Sequence, residues 1–351
     1  MTDDRPLVVV SDDTVLDEIL RLAAAVGCEV ERVSDLGAAR SRWASAPLVL
    51  LDEEGAADAD GADMDRRAGV LLICKAAPLP DTWQRAFSLG AEHVVALPDG
   101  EDTLLSALAD VAEGPPASAG RVLAVLGGRG GAGASVLAAA AAISACRAGG
   151  SALLVDCDPL GGGLDLLLGA EISAGLRWPG LRVQSGRVSM PALDAALPGR
   201  RHGDGRLSVL SCDRDGPGPT AEAAAAVIEA GRRSGRLVVC DLPRGLDAGA
   251  AEALHRADLV VLVVPAEVRA CVAAARVLAR LDSRSGRLGV LVRGPAPGGL
   301  TAAEVADAVG APLLGWMRPE RGLGRVLERG AFDPRPGGSL GAACRTVLDA
   351  L

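Results

Sequence analysis

The chain has 351 residues, enough for two domains of ordinary size. Hydrophobic residues make up 49% of it but aromatics only 2%, so any core must be built from Ala, Val and Leu. A formal net charge of −9 excludes bulk attraction to nucleic acid or to anionic membrane, and arginine replaces lysine everywhere but at Lys75, a coding bias and not a functional signal.

No apolar run reaches the roughly 18–20 residues of a membrane-spanning helix. The acidic opening Met1-Thr-Asp-Asp-Arg5 lacks the basic-then-apolar pattern of a signal peptide, so the expected location is cytoplasmic. Eight cysteines are scattered with no CxxC pair, and they read as small hydrophobes in a reducing compartment.

Leu7-Val-Val-Val10 reads as a short buried strand, and Val15 to Val26 as a helix through the spacing of Leu16, Ile19, Leu20 and Leu22. Val30–Val33, Leu48–Leu51, Val70–Ile73 and His93–Ala96 follow as strands with helices between, and a helix over Thr103–Val111 closes the set. Five strands alternating with helices predict a small doubly wound α/β domain over residues 1–112. The exit from its third strand, Glu53 to Gly69, is rich in Ala and Asp and reads as a mobile loop.

This half resembles a response-regulator receiver, a flavodoxin-like fold. Asp12 and Asp13 follow the first strand and Asp52 ends the third, the places of a metal-binding acid pair and a phosphate acceptor. Receivers carry a lysine at the end of the fifth strand, where Leu97-Pro98 stands here, and a Ser or Thr after the fourth, where Cys74-Lys75 stands. The expectation is therefore a non-phosphorylated pseudo-receiver, with control through Asp52 as the rival.

Glu113-Gly-Pro-Pro-Ala-Ser-Ala-Gly120 reads as a linker over 113–120, and from there the α/β alternation restarts over 121–351. Val122–Leu126, Ala152–Val155, Leu207–Leu210, Leu237–Cys240, Leu259–Val264, Leu288–Val292 and Pro312–Leu314 are the expected strands. Several are apolar throughout, as strands covered on both faces of a parallel sheet should be. One helix is expected to bury Val268, Cys271, Val272, Ala275 and Leu278 on a single face. The insertion Leu176–Pro198, with Trp178, carries no readable chemistry.

The most informative stretch is Val122-Leu-Ala-Val-Leu-Gly-Gly-Arg-Gly-Gly-Ala-Gly-Ala-Ser135: strand, glycine loop, helix start. Glycines let backbone N–H groups turn inward, and the helix dipole favours an anion at that end. Gly128, Arg129, Gly130, Gly131, Ala132, Gly133, Ala134 and Ser135 overlay the P-loop pattern G-x-x-x-x-G-K-[ST] except that Ala134 replaces the lysine. A hydrogen bond to a charged group is worth about 1.5–3 kcal/mol, so its loss should weaken triphosphate binding by about one to two decades. Downstream, Asp156-Cys-Asp158-Pro159 ends one strand and Asp241-Leu-Pro-Arg-Gly245 another. Acids at those strand ends can hold Mg²⁺ or orient a water.

Arg129-Gly-Gly-Ala-Gly-Ala-Ser135 resembles the deviant Walker A of the MinD/ParA ATPases, K-G-G-x-G-K-[ST]; Asp156-x-Asp158-Pro159 resembles their switch I and Asp241 their Walker-B acid. A pseudo-receiver joined to such a domain is the layout of the CpaE/TadZ-like branch. Within the family the chain looks most like the actinobacterial septum site-determining (Ssd) group, through Gly175-Leu-Arg-Trp-Pro-Gly180, Gly186-Arg-Val-Ser189, Leu207–Ser211 before Asp213-Arg214, and Val292-Arg-Gly-Pro295. The resemblance spans essentially the whole chain. It implies a doubly wound, mostly parallel P-loop domain in which ATP and Mg²⁺ are the cofactors. Gly130, Gly131, Gly133 and Ser135 would cradle phosphate, with an N–H from Gly245 at the γ-phosphate. Ser135, Asp156 and Asp241 would serve the metal, and Asp158 would position the attacking water. Arg129 stands at the signature lysine, and Arg293 stands where the family places an adenine-reading asparagine.

The resemblance further implies a homodimer and division or polar-localisation partners. The last stretch, Leu340–Leu351, has Arg345 as its lone cation and reads as a packed helix, so membrane contact would be indirect. Arginines at helical spacing, Arg276-Arg280-Arg284 and Arg318-Arg321-Arg325-Arg329, read as a solvated face and not as a nonspecific DNA surface. The expected function is septum-site regulation with ATP binding weakened and hydrolysis weak or absent. The alternatives are a slow working ATPase in which Arg129 compensates for Ala134, and a CpaE/TadZ-type ATPase positioning pilus or secretion machinery at a pole.

Overall fold

The computed structural model describes residues 5–62, 64–113, 120–181, 188–281, 287–330 and 332–351. The chain forms two compact units, Met1–Pro115 and Pro116–Leu351. Most of the expected linker, part of Gly186–Ser189, and Arg284 lie outside the described residues.

In the first unit, strands β1 (Leu7–Val9), β2 (Glu31–Arg32), β3 (Val49–Leu51), β4 (Val70–Cys74) and β5 (His93–Ala96) form an all-parallel sheet in the order β2-β1-β3-β4-β5. That order, 2-1-3-4-5, is the flavodoxin and CheY arrangement. Leu16, Ile19, Leu22, Leu104 and Leu108 cover one face; Ala39, Trp43, Ala56, Ala59, Ala86 and Leu89 cover the other. The stretch after β3, expected as a mobile loop, is instead a helix, Glu53–Gly61. Asp52 caps it by accepting from Gly55 N–H, Glu53 and Glu54 complement its dipole, and Ala56 and Ala59 lie three apart on its buried side.

The second unit continues with β6 (Arg121–Gly127), β7 (Ala152–Asp156), β8 (Gly199–His202), β9 (Gly205–Leu210), β10 (Leu237–Leu242), β11 (Leu259–Pro265), β12 (Arg287–Arg293) and β13 (Leu313–Met317). Their order is β13-β12-β11-β6-β10-β7-β9-β8, with every pairing parallel except β8 against β9. The P-loop strand β6 is thus central. Its Val122, Ala124 and Leu126 enter one core layer, its Leu123 and Val125 the other. The second layer holds the helix Ala134–Arg147, buried along nearly its whole length, and the C-terminal helix Ser339–Ala350, which packs on it through Leu340, Ala343, Cys344 and Val347. A helix apolar all round is one that is covered all round.

Three further expectations need correction. The edge strand β8 was missed; its Arg200-Arg201-His202 pattern is polar, and the signal was the Gly203-Asp204 turn, with Gly203 at φ 63°. The helix Val268–Leu278 buries Ala270, Cys271 and Ala274, leaving Val268 and Val272 68% and 52% exposed. Small residues face inward there because Gly128 comes so close that a Cβ on it would lie 2.7 Å from the Ala274 methyl. The second arginine stripe is not helical: Pro319 and Gly322 interrupt it, and only Arg325 lies in a short helix, Leu323–Leu327. All eight cysteines are buried and free.

Candidate functional site

The glycine loop leaves β6 at the carboxyl edge of the sheet. Gly131 (φ 71°) and Gly133 (φ 100°) adopt left-handed conformations that direct the loop around the start of the Ala134–Arg147 helix. Gly128 N–H donates to Val263 O at 2.9 Å, tying the loop to β11. The carboxyl ends of neighbouring strands are flush: Val263 pairs with Gly127, and Pro265 with Arg293. A cavity of about 560 Å³ opens there, with residues 129–135, Asp158, Asp241, Arg244 and Arg293 on its walls.

Two acids sit side by side, because Asp241 of β10 pairs in register with Asp156 of β7. Asp241 is buried and hydrogen-bonded to Ser135; burial, aided by Asp156 and Asp158, pushes its carboxyl up to about 8. Asp156 does not line this cavity but lines an adjoining cleft with Ser135, Asp158 and Asp241. Its Oδ1 accepts from Asp158 N–H at 3.1 Å, and its Oδ2 accepts from Leu164 N–H, Ser211 Oγ–H and Cys212 N–H at 3.2, 3.1 and 3.2 Å. Four donors commit it to bracing the loop after β7. Asp158 is half-buried and lines both this cavity and the adjoining cleft.

The insertion now has a physical role. Trp178 is buried and its indole N–H donates to Asp156 O at 2.6 Å. Next to it Arg177 Nε donates to Asp165 Oδ2 at 3.0 Å, and Arg214 Nη1 reaches the same oxygen at 2.9 Å. The insertion therefore clamps the segment that carries Asp156 and Asp158.

Two of the expected site residues stand apart from the cavity. Gly128 is tucked beneath Ala274, and Gly245 is exposed beyond the lining while Arg244 before it lies on the wall. Sequence reasoning also missed the base of the cavity, where Met317, Leu323, Leu327 and Leu340 form an apolar floor near Arg318 and Glu320. These residues come from separate segments and share no local motif. Arg129 Nη2 donates to Glu267 Oε1 at 2.9 Å. Arg293 lines the cavity, and its Nη1 lies 3.2 Å from where a Cβ on Gly133 would stand.

In the first unit Asp52 and Asp12 are engaged by neighbouring groups. Asp52 is buried; its Oδ2 accepts from Ser11 and Asp12 N–H at 2.7 and 2.8 Å, and its Oδ1 from Gly55 N–H at 2.7 Å. Lys75 forms an ion pair with Asp12, and that contact together with the Val15 and Thr14 N–H groups holds the Asp12 carboxyl below its ordinary value. The expected result is that acetyl phosphate adds no mass to Asp52. Asp52→Ala should cost about 2 kcal/mol through the donors it strands, read as a lower urea midpoint.

Among the described residues no helix is long and apolar enough to cross a membrane, and no group of three or more His, Cys, Asp or Glu is placed to hold a metal by itself.

Residues 9–119 match the family described as Rv3660c-like, CheY-like N-terminal domain. Over 98% of its length the chain is 45% identical to protein Rv3660c of Mycobacterium tuberculosis strain H37Rv, covering 97% of that protein. Among solved structures, it is similar to a ParA family ATPase from Chlorobium tepidum TLS, with 18% identity, a TM-score of 0.54, and 66% of this chain against 98% of that one. The MinC:MinD cell division protein complex of Aquifex aeolicus gives 23% identity and a TM-score of 0.51 over 65% of this chain and 96% of that one. The septum site-determining protein MinD complexed with Mg-ADP from Pyrococcus horikoshii OT3 gives 18% and 0.50 over 66% and 95%. At these identities the likeness shows a fold: a CheY-like N-terminal domain followed by a mostly parallel α/β domain of the MinD/ParA P-loop type.

Proposed function

The chain belongs to the Rv3660c-like family, and from that premise we propose that it is a septum-site-determining regulator of cell division, of MinD/ParA kind, with a degenerate nucleotide site. One observation supports this above the rest. Ser135, Asp158 and Asp241 meet the glycine loop in a single cavity, while Ala134 stands where the principal cation belongs. Such a site binds ATP weakly and hydrolyses it slowly or not at all.

The donor set fits a magnesium ion. A hydroxyl and a buried carboxylate, Ser135 and Asp241, are the hard oxygen ligands that Mg²⁺ combines with phosphate oxygens. Bound there, the ion would neutralise charge on the phosphates. In this reading Gly130, Gly131 and Gly133 present backbone N–H groups, Asp158 orients a water, and Asp156 acts as a brace and not as a ligand. The branch we favour is the septum site-determining group. The Aquifex MinD was solved with the division protein MinC, and we propose that this chain, too, works as a homodimer through division partners. Its C-terminal helix spends its apolar side on the Ala134–Arg147 helix, so membrane recruitment falls to a partner.

The test is titration of the full chain with a fluorescent ATP analogue and Mg²⁺, with phosphate release followed alongside. Ala134→Lys should raise ATP affinity by about one to two decades. Robust turnover by the native protein, abolished in Asp158→Ala, would overturn the degenerate reading. A fluorescent fusion at the poles and absent from septa would favour the pilus or secretion role instead.

A further inference from the structure

We propose that Arg293 is the phosphate-binding cation of this loop, reaching it from β12, and that it places positive charge on the inner phosphates so that nucleoside diphosphate and triphosphate are held alike. This deepens the reading of the cavity as a nucleotide site and rests on it.

Four arginines line the cavity, Arg129, Arg244, Arg293 and Arg318, and they are not equivalent. Arg129 is already neutralised by Glu267. Arg244 Nη2 lies 3.9 Å from where a Cβ on Gly130 would stand, and Arg244 is exposed. Arg293 lies against Gly133, its Nη1 3.2 Å from where a Cβ on that glycine would stand, and Gly133 itself holds a left-handed φ of 100°. Its guanidinium makes no hydrogen bond or ion pair among the described residues, and its Nε is buried without a partner. A half-buried cation with no counter-ion is costly unless an anion completes the site. Burial and the neighbouring Arg129 both work against its charge, and Glu267 only partly offsets them. An arriving phosphate would satisfy the fork bidentately.

The position also decides which phosphate is read. A P-loop cradles the α- and β-phosphates with backbone N–H groups, while its lysine extends to the β- and γ-phosphates. Arg293 stands against the last loop glycine, the N-cap of the helix, where the loop N–H groups would cradle the α- and β-phosphates. The cation that would sense the γ-phosphate is the one Ala134 removed. Discrimination between ATP and ADP is therefore lost even though affinity for the diphosphate is retained.

Fluorescent ADP and ATP analogues are titrated, with Mg²⁺, into the full-length native protein and into Arg293→Ala, Arg293→Lys, Arg129→Ala and Ala134→Lys, each checked for an unchanged far-UV spectrum and urea midpoint. The native protein should bind both within about threefold. Arg293→Ala should weaken both by about 10–100-fold, Arg293→Lys should recover part of the loss, and Ala134→Lys should create a preference for ATP. Tight binding that survives Arg293→Ala but not Arg129→Ala, or a native preference of tenfold or more for ATP, overturns the assignment to Arg293 and leaves the nucleotide site standing. A native protein that binds neither nucleotide overturns both.

Discussion

Asp165→Asn is expected to lower stability by about 3–5 kcal/mol, the cost of stripping a buried ion-pair network of its central anion. The Asp165 carboxylate is almost wholly buried, and Arg177 and Arg214 both reach its Oδ2. Its Oδ1 accepts from Leu166 N–H at 2.8 Å, within the first turn of the helix Leu164–Leu168. The two arginines differ. Arg214 is 43% exposed and can turn to water, whereas Arg177 at 12% cannot, so most of the cost is a stranded Arg177. Removing Arg177 in the Asp165→Asn background should therefore recover about 2 kcal/mol, which a double-mutant cycle in urea reads directly. Burial alone would raise the Asp165 carboxyl, but Arg214 and Arg177 outweigh it and hold it below its ordinary value. The stabilisation is therefore complete above a pH of about 4 and is lost as pH falls through the lowered value. Because the same network holds the segment carrying Asp158, nucleotide binding should weaken before the chain unfolds.

This network was invisible in the sequence, and the reason is physical. Asp165, Arg177 and Arg214 are separated along the chain and joined only when the insertion folds back, with Leu176 N–H bonded to Ala196 O and Trp178 beneath Asp156. What could be read was whatever is local or periodic. The unbroken apolar run Val122–Leu126 marked a buried strand, the glycines its loop, and the acids at Asp156 and Asp241 the strand ends. Local reading failed where one residue changed the meaning of its neighbours. Asp52 turns an Ala/Asp stretch into a capped helix, and the close approach at Gly128 makes alanine, not valine, the inward residue of the helix Val268–Leu278. The closeness of Arg293 to the glycine loop was not legible either, because it depends on β12 and β11 ending level with β6, a property of sheet order.

Asp241→Asn is expected to stabilise the metal-free protein while destroying its response to magnesium. Asp241 ends β10 beneath the loop, deeply buried, with Ser135 as its hydrogen-bond partner and with Asp156 and Asp158 nearby. Burial raises its carboxyl to about 8 in the folded chain, so near neutrality the folded state holds a proton there that the unfolded chain has already released. A group raised in this way contributes its full stability below about pH 4 and loses it as pH rises to about 8, beyond which the curve is flat. The change over that window is on the order of 5–6 kcal/mol at about 1.4 kcal/mol per unit. An asparagine has nearly the same shape and no proton to lose. In EDTA, its urea midpoint should match the native protein near pH 4, exceed it increasingly toward pH 8, and show no slope of its own. The variant should also lose the roughly 10–100-fold gain in nucleotide affinity that Mg²⁺ gives the native chain, because the amide cannot serve as the anionic ligand. A parallel slope in both proteins would remove Asp241 as the titrating group. A Mg²⁺ response that persists in the variant would place the metal on other oxygens. An acid kept in so unfavourable a place, when asparagine would fold better, is the pattern of a residue retained for binding at the expense of stability.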